Sequence, residues 1–320
     1  MDSHKVTVAV ITADRKDVLD ECIASILKSG YPIFEFLVID NASTDGTAEM
    51  VRDKYPSVKL IRNEKNMGLS FCHNLAMKRF NGDCVFLVDD DNEVEPDMLQ
   101  KLVGYLYAPE NKDVGIVVPL IMEFYDVPEK IVLAGGETSM WSGKNFLCSK
   151  KIGKEEISRD TKRVPNSTLI RRETIDKNGY MDDSLFSTLA DEDYVRRMNE
   201  KGLLARVILK AVIYHKQKHS ATAARKLGMT NPARAYILAR NRTVLISRYA
   251  CWYQKILYLL FWQTLFNSYY LNVLIFKTRK KEYTIAYMKG LFHAWKYVFT
   301  KKLPPLEYVL EMTRNNLNIQ

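Results

Sequence analysis

Short runs of β-branched and apolar residues recur along the first two thirds of the chain. Val6 to Ile11 reads VTVAVI, Phe34 to Ile39 FEFLVI, Val114 to Val118 VGIVV and Val207 to Tyr214 VILKAVIY, with shorter runs at Val58 to Ile61 and Val85 to Val88. Such runs predict strands buried on both faces. Between them the apolar positions change period. Val18, Leu19, Cys22, Ile23, Ile26 and Leu27 return at helical spacing, and Gly30 is a stop. Asp14 and Asp17 precede them, where a helix N-terminus favours negative charge. The pattern places further helices from the Asn41–Gly46 turn through Tyr55, over Leu69 to Phe80, and from Pro96, a residue tolerated in a first helical turn. Strands alternating with helices predict an α/β fold whose mostly parallel sheet is covered on both faces. Ligands of such sheets sit beyond the carboxyl ends of the strands. Two of those ends carry acid, Asp40 after LVI and Asp89-Asp90-Asp91 after FLV.

Composition narrows the class. The 320 residues are 47% hydrophobic and 27% charged, with 14 Gly and 10 Pro, which excludes disordered and collagen-like chains. The five cysteines are scattered and form no CxxC pair, which argues against a zinc ribbon or a disulfide framework and fits a reducing compartment. The apolar run at the N-terminus is too short for a secretory signal. A net charge of +9 implies an anionic partner: nucleic acid, a phosphorylated ligand or an acidic membrane.

Three consecutive aspartates repel one another, and a divalent cation relieves that repulsion because hard cations prefer carboxylate oxygens. The bland alternative is a solvated acidic turn. The surrounding segments weigh against it. From Val6 to about Asn241 the chain resembles the family 2 glycosyltransferases, and within them the rhamnosyltransferase-like branch. The likeness rests on Thr12-Ala13-Asp14-Arg15, with Asp where the family has Asn, and on Asp40 to Thr47 (DNASTDGT). It continues through Asn66-Met67-Gly68, Asn74 and the Asp89-Asp90-Asp91 metal motif. Each motif is weak alone; five in order and at the right spacing are specific.

The resemblance implies the GT-A fold, a Rossmann-like sheet flanked by helices, and a nucleotide-sugar donor held by Thr12, Asp14, Arg15, Asp40, Asn66, Gly68, Asp89 and Asp90. Asp40 would accept from the donor's pyrimidine base, since uracil and thymine offer an N3–H and a carboxylate only accepts. Asp91 would bind Mg²⁺ or Mn²⁺. Structural readings stand beside these: Asp40 as a turn cap, Asn66 and Gly68 as loop-shaping residues, Asn74 as a helix-surface residue.

The second half continues the likeness. Leu169 to Glu173 (LIRRE) and Gly179 to Phe186 match family segments, the first a strand passing into a helix. Aligning Asp193 and Arg197 on an E-D-x-D stretch puts Asp191 at the general-base position, where a carboxylate would take the proton of the attacking sugar hydroxyl. Ala190 departs from the pattern, and Glu192 is the alternative base. Acids in a helix's first turn are also favoured electrostatically. His215, directly after the VILKAVIY run, matches a histidine that completes the metal site, with His219 a weaker candidate. Arg240-Asn241 matches a pair near the donor pyrophosphate or acceptor, or is structural. Gly135 to Arg163 is irregular and basic, a candidate loop of the acceptor site.

After Asn241 the composition shifts. Ile256 to Phe276 approaches the length of a membrane span but is interrupted by polar residues, and a basic, aromatic stretch follows to Lys302. This suits helices lying in an anionic membrane interface; a helical subdomain or a dimer interface is the alternative. No nucleic-acid motif is present. The expectation is a GT-A domain over 1–241 and a helical, membrane-associating region over 242–320. Together they would form a metal-dependent, inverting enzyme, peripheral on the cytoplasmic face of the cell membrane. The donor would be a UDP- or dTDP-sugar and the acceptor a lipid-linked or polysaccharide glycan. The rivals are a catalytically degenerate glycan-binding or scaffold module, supported by Ala190, and a sugar-1-phosphate nucleotidyltransferase, for which the Gly-rich loop after the first strand is missing.

Overall fold

The structure, a computed structural model, describes residues 4–125, 130–147, 152–153, 155–164, 167–216 and 228–317. It divides into two compact units. The first comprises Met1–Glu137, Leu147–Met181 and Tyr194–Lys218; the second comprises Thr138–Phe146, Asp182–Asp193 and the chain from residue 219 on.

In the first unit the expected strands form as β1 (Val6–Thr12), β2 (Ile33–Asp40), β3 (Lys59–Arg62) and β4 (Cys84–Asp89). After them come β5 (Asn92–Val94), β6 (Val114–Glu123), β7 (Ile131–Leu133), β10 (Ser158–Asp160), β11 (Ser167–Arg171) and β12 (Leu204–His215); a small hairpin, β8–β9 (Gly136–Thr138, Asn145–Leu147), forms a sheet of its own. The main sheet runs β10-β12-β6-β11-β4-β1-β2-β3. β4, β1, β2 and β3 are parallel, and so are β6 and β12; β11 is inserted antiparallel between β4 and β6. This is the mostly parallel sheet flanked by helices that the resemblance implies.

All seven residues of β1 are buried, as a strand covered on both faces requires. Alternate side chains enter opposite layers. Val6, Val8 and Val10 meet Leu19, Ile23 and Ile26 of α1 (Lys16–Ile26), while Ala9 and Ile11 join the cluster of Ala76 and Met77. α2 (Thr47–Lys54) follows β2; α3 (Leu69–Arg79), which carries Ala76 and Met77, follows β3; α4 (Met98–Leu106) and α5 (Arg172–Asn178) follow later. The helix expected from Pro96 starts two residues on, with Asp97 as its N-cap residue. α6 (Ala190–Asn199) brings Tyr194, Val195 and Met198 into the Ala9–Ile11 cluster.

The second unit is helical. Asn231 caps α7 (Pro232–Tyr249) by accepting from the Arg234 amide at 2.8 Å, with Pro232 in its first turn. Asn241 lies inside this helix. The apolar segment continues as α8 (Trp252–Leu257), a π-helical turn, α9 (Gln263–Asn272) and a second π-helical turn, followed by α10 (Lys281–Thr300) and α11 (Leu306–Leu317). Gly290 of α10 lies against the Tyr236 carbonyl of α7, closer than any Cβ could come. Among the described residues no helix is long and apolar enough to cross a membrane.

Candidate functional site

The parallel strands end together, and their ends carry the polar residues. Register pairs Thr12 with Asp40, Asp40 with Arg62, and Ile11 with Asp89. The loop after β1 is fixed by the loop after β2. Asp14 adopts a φ of 52°, unusual for a residue with a Cβ, and accepts from the Thr44 amide at 2.6 Å while its own amide donates to Ser43 Oγ at 2.9 Å. Asp45 accepts from the Lys16 amide at 2.9 Å and so caps α1 from the neighbouring loop. Asp14 therefore acts on the protein's own backbone.

Asp40 is wholly buried. Its Oδ1 accepts from the Ser43 amide at 2.8 Å, which is the turn-capping role. Its Oδ2 has no hydrogen-bond partner among the described residues and lies 3.3 Å from Arg62 Nε. Asp40 thus caps the turn and keeps an acceptor in reserve. Asn66 accepts from Asn41 Nδ2 at 2.9 Å and from the Gly68 amide at 3.0 Å. Gly68 has a φ of 83°, which a side chain would strain. In this structure both residues shape the loop. Asn74 is buried and exchanges hydrogen bonds with the backbone of Met181, not with solvent.

The acidic cluster is differentiated. Asp90 accepts from Thr12 Oγ1 at 2.7 Å and Arg15 Nη1 at 3.0 Å. Arg15 Nη1 also reaches Asp91 Oδ2 at 2.9 Å. Burial pushes the Asp90 carboxyl up to about 7, helped by Asp91 and Asp89 and opposed by Arg15 and Thr12. Burial also acts to raise Asp91, but His215 and Arg15 overcome it and hold that carboxyl below its ordinary value. His215 ends β12, and the antiparallel register with β5 sets it opposite Asn92. That brings its Nε2 to 3.4 Å from Asp91 Oδ1. Two of the sequence-predicted metal ligands are therefore together. His219 lies outside the described residues.

Two residues here were not singled out from the sequence. Arg62 ends β3 beside Asp40, and His73 of α3 places Nε2 3.8 Å from Asp89 Oδ1. Neither of those last two atoms has a hydrogen-bond partner among the described residues. A basic residue in register with Asp40 was the available signal for Arg62; a lone histidine in a helix gave none for His73.

Whether the residues suit a divalent cation can be tested on their donors. Asp91 Oδ1 is buried, with the His215 imidazole Nε2 3.4 Å away. Among the described residues no group of three or more His, Cys, Asp or Glu side chains could hold an ion. A cation at Asp91 and His215 would have to take its remaining positions from ligand oxygens and water.

In the second unit the three acids of the first turn of α6 have different surroundings. Glu192 is fully buried and accepts from the Thr138 amide at 2.9 Å and its hydroxyl at 2.6 Å. Asp193 is fully buried and accepts from Arg248 Nη1 at 2.7 Å and Tyr249 OH at 2.9 Å. Asp191 is only half-buried. Glu192, the alternative base, is thus engaged by Thr138. Arg240 and Asn241 are also fully buried. Asn241 Nδ2 donates to the carbonyls of Leu185 and Thr188 at 2.8 and 2.7 Å, and Arg240 donates to that of Ser184. They hold the segment leading into α6, where Phe186 and Leu189 both take a φ of 66°. The Gly135–Arg163 segment lies partly outside the described residues.

A mostly parallel sheet with buried acids at its strand ends is the arrangement in which ligands sit beyond the carboxyl ends of the strands. Residues 7–177 match glycosyl transferase family 2, and the chain belongs to that family. It is 28% identical over 112 residues to the putative teichuronic acid biosynthesis glycosyltransferase TuaG of Bacillus subtilis, a match covering 33% of this chain and 44% of that protein. The chain thus spans less than half the length of that relative. Two solved structures share the fold. S. aureus TarS 1–349 in complex with UDP-GlcNAc has a TM-score of 0.59 at 17% identity, covering 98% of this chain and 89% of that one. The mannosyltransferase PcManGT from Pyrobaculum calidifontis, in complex with GDP-Man and Mn²⁺, has a TM-score of 0.57 at 19% identity, covering 93% and 88%.

Proposed function

We propose that this glycosyltransferase moves a sugar, with inversion, from a UDP- or dTDP-sugar to a hydroxyl of a lipid-linked or polysaccharide glycan, with Mg²⁺ or Mn²⁺ as cofactor. The observation that carries the donor site is a set of buried polar atoms without hydrogen-bond partners among the described residues: Asp40 Oδ2, His73 Nε2, Asp89 Oδ1 and Asp91 Oδ1. Buried polar groups are nearly always paired, and leaving one unpaired costs about 1–3 kcal/mol. The three aspartates lie at or just after strand ends, each with a basic side chain 3.3 to 3.8 Å away, and this grouping supports a site completed by a polar ligand. In this reading Asp40 Oδ2 accepts from the pyrimidine N3–H, with Arg62 beside it, and Asp89 faces the ribose.

Asp91 and His215 would hold the cation, and Arg15 would add positive charge beside them. When bound, the cation neutralises the donor pyrophosphate and the charge left on the departing nucleoside diphosphate. Asp191 is the proposed base: its carboxylate accepts the acceptor hydroxyl's proton while that oxygen attacks the anomeric carbon from the face opposite the leaving group. Its partial exposure, against the full burial of Glu192 and Asp193, supports it over its neighbours. Peripheral contact with the inner face of the cell membrane would bring the enzyme to a lipid-linked acceptor.

The test is release of nucleoside diphosphate from UDP-, dTDP- and GDP-sugars, with Mn²⁺ or with EDTA. Turnover of the pyrimidine donors, abolished by EDTA, is expected. A GDP-sugar preference overturns the role given to Asp40. No turnover of any donor, with sugar binding retained, would favour the scaffold reading.

A further inference from the structure

Helix α10 has two apolar faces, and only one is covered. Ala286, Tyr287, Gly290, Ala294 and Tyr297 are buried. Ile285, Met288, Phe292, Trp295 and Phe299 are exposed, Phe292 at 66% and Phe299 at 78%. The second set advances by three and four residues in turn, so it forms one continuous stripe. At ~100° per residue the two stripes point about 170° apart. A helix with one face on its own protein presents polar residues on the other; here that other face carries two phenylalanines, a tryptophan, a methionine and an isoleucine.

The charge around this stripe has one sign. From Lys277 to Lys302 there are eight basic residues and a single acidic one, Glu282. Lys289 and Lys296 are exposed and share one flank of the stripe. In the preceding stretch, Ile256 to Phe276, there is no charged residue at all, and Leu260 and Phe276 are among its exposed side chains.

We propose that the outward stripe of α10 is the surface on which this protein docks to an anionic lipid bilayer, the stripe entering the headgroup–acyl boundary and the lysines meeting lipid phosphates. The proposal rests on the reading of the enzyme as peripheral to a membrane and names the surface responsible. Aromatic and aliphatic residues bordered by lysine are the composition of an interfacial helix. A second copy of the chain fits less well. A two-fold contact is self-complementary, so it would set this basic rim against itself. An insertion across the bilayer is not required, since no described helix is long and apolar enough.

Co-sedimentation with vesicles of equal parts phosphatidylcholine and phosphatidylglycerol tests this, with pure phosphatidylcholine vesicles as the second arm. Mn²⁺-dependent UDP binding is measured on each protein, so loss of docking is told apart from loss of the donor site. The wild-type protein should bind the anionic vesicles and release from them at high salt. Phe292→Ser combined with Trp295→Ser and Phe299→Ser should weaken partition at least ~10-fold, because the buried apolar area is what anchors an interfacial helix. Lys289→Glu with Lys296→Glu should do so by at least ~10-fold as well, on roughly fivefold per charge near an anionic surface. UDP binding and the melting temperature should be unchanged in both. The proposal fails if the wild type ignores anionic vesicles at low salt, or if the triple serine variant binds them as tightly as the wild type. It fails equally if the wild type self-associates in ultracentrifugation and the triple variant does not, which would assign the stripe to a second copy.

Discussion

Arg15 and Asp91 are joined by a 2.9 Å ion pair, and the same guanidinium nitrogen lies 3.0 Å from Asp90. The arginine thus places a positive charge on the carboxylates proposed to meet a divalent cation. Like charges a few ångströms apart repel, by about 1 kcal/mol or more where water screens them least. Arg15→Gln should therefore lower the Mn²⁺ concentration needed to half-saturate the nucleotide-free protein by roughly fivefold. Titration calorimetry reads this directly. Weaker Mn²⁺ binding in the variant would mean that Arg15 organises the carboxylates for the ion.

Asp91 and His215 make different contributions to the proposed cation site. Asp91 brings formal negative charge, while His215 brings a nitrogen set in place by the β5–β12 register. Asp91→Ala should abolish Mn²⁺-dependent UDP binding, and His215→Ala should weaken it by roughly 10-fold, within the usual range for loss of one supporting group at a metal. Calorimetry with and without EDTA separates the two. Unaltered Mn²⁺-dependent binding in Asp91→Ala would remove this residue from the site.

Asp40 and the three aspartates were legible in the sequence because each follows an apolar run whose end is easy to find. The main strands and the helices between them were legible for the same reason. β5, β7 and β10 were not, since three residues do not establish a period. That omission mattered: it is the three-residue β5 that lines up His215 with the acidic loop. Arg62 and His73 carried little local signal, because their partners arrive from other strands. The burial of Glu192 could not be read either, since its partner Thr138 lies 54 residues away. For Arg240 and Asn241 the likeness marked the pair, but only the folded chain shows that they hold the backbone before α6.

The first turn of α6 offers a direct comparison of neighbouring acids. Asp191→Asn removes the proposed proton acceptor while keeping size and polarity. Its kcat for transfer should fall by a factor on the order of 10²–10⁴, the scale of general-base catalysis, with donor affinity little changed. Glu192→Gln should behave otherwise. It weakens the hydrogen bonds from Thr138, so its main effect should be a lower melting temperature, from a loss on the order of 1–2 kcal/mol. Steady-state kinetics beside thermal melts check both, and the reverse ranking would move the base to Glu192.

Arg248 joins two carboxylates of the second unit. It lies 2.7 Å from Asp182 and 2.7 Å from the fully buried Asp193. Replacing it with methionine keeps the apolar stem and leaves Asp193 buried without its cation, a change that costs about 3–5 kcal/mol when no other charge compensates. Tyr249 still donates to Asp193, which places the expected loss near the lower end of that range. The pH dependence has a definite sign. Burial acts to raise the Asp182 carboxyl, but hydrogen bonds from Ser184 and Arg248 and the arginine's charge overcome it and hold the group below its ordinary value of 3.8. A carboxyl lowered in the folded state contributes stability above its unfolded pKa, and that contribution is lost as pH falls through the folded value. Wild-type stability should therefore drop as the pH is lowered from about 4, and Arg248→Met should flatten that part of the profile while lowering the plateau above it. Denaturant melts across pH 2–7 measure both effects, and an Arg248→Met profile parallel to the wild type's would show that Asp182 draws its shift from Ser184 alone.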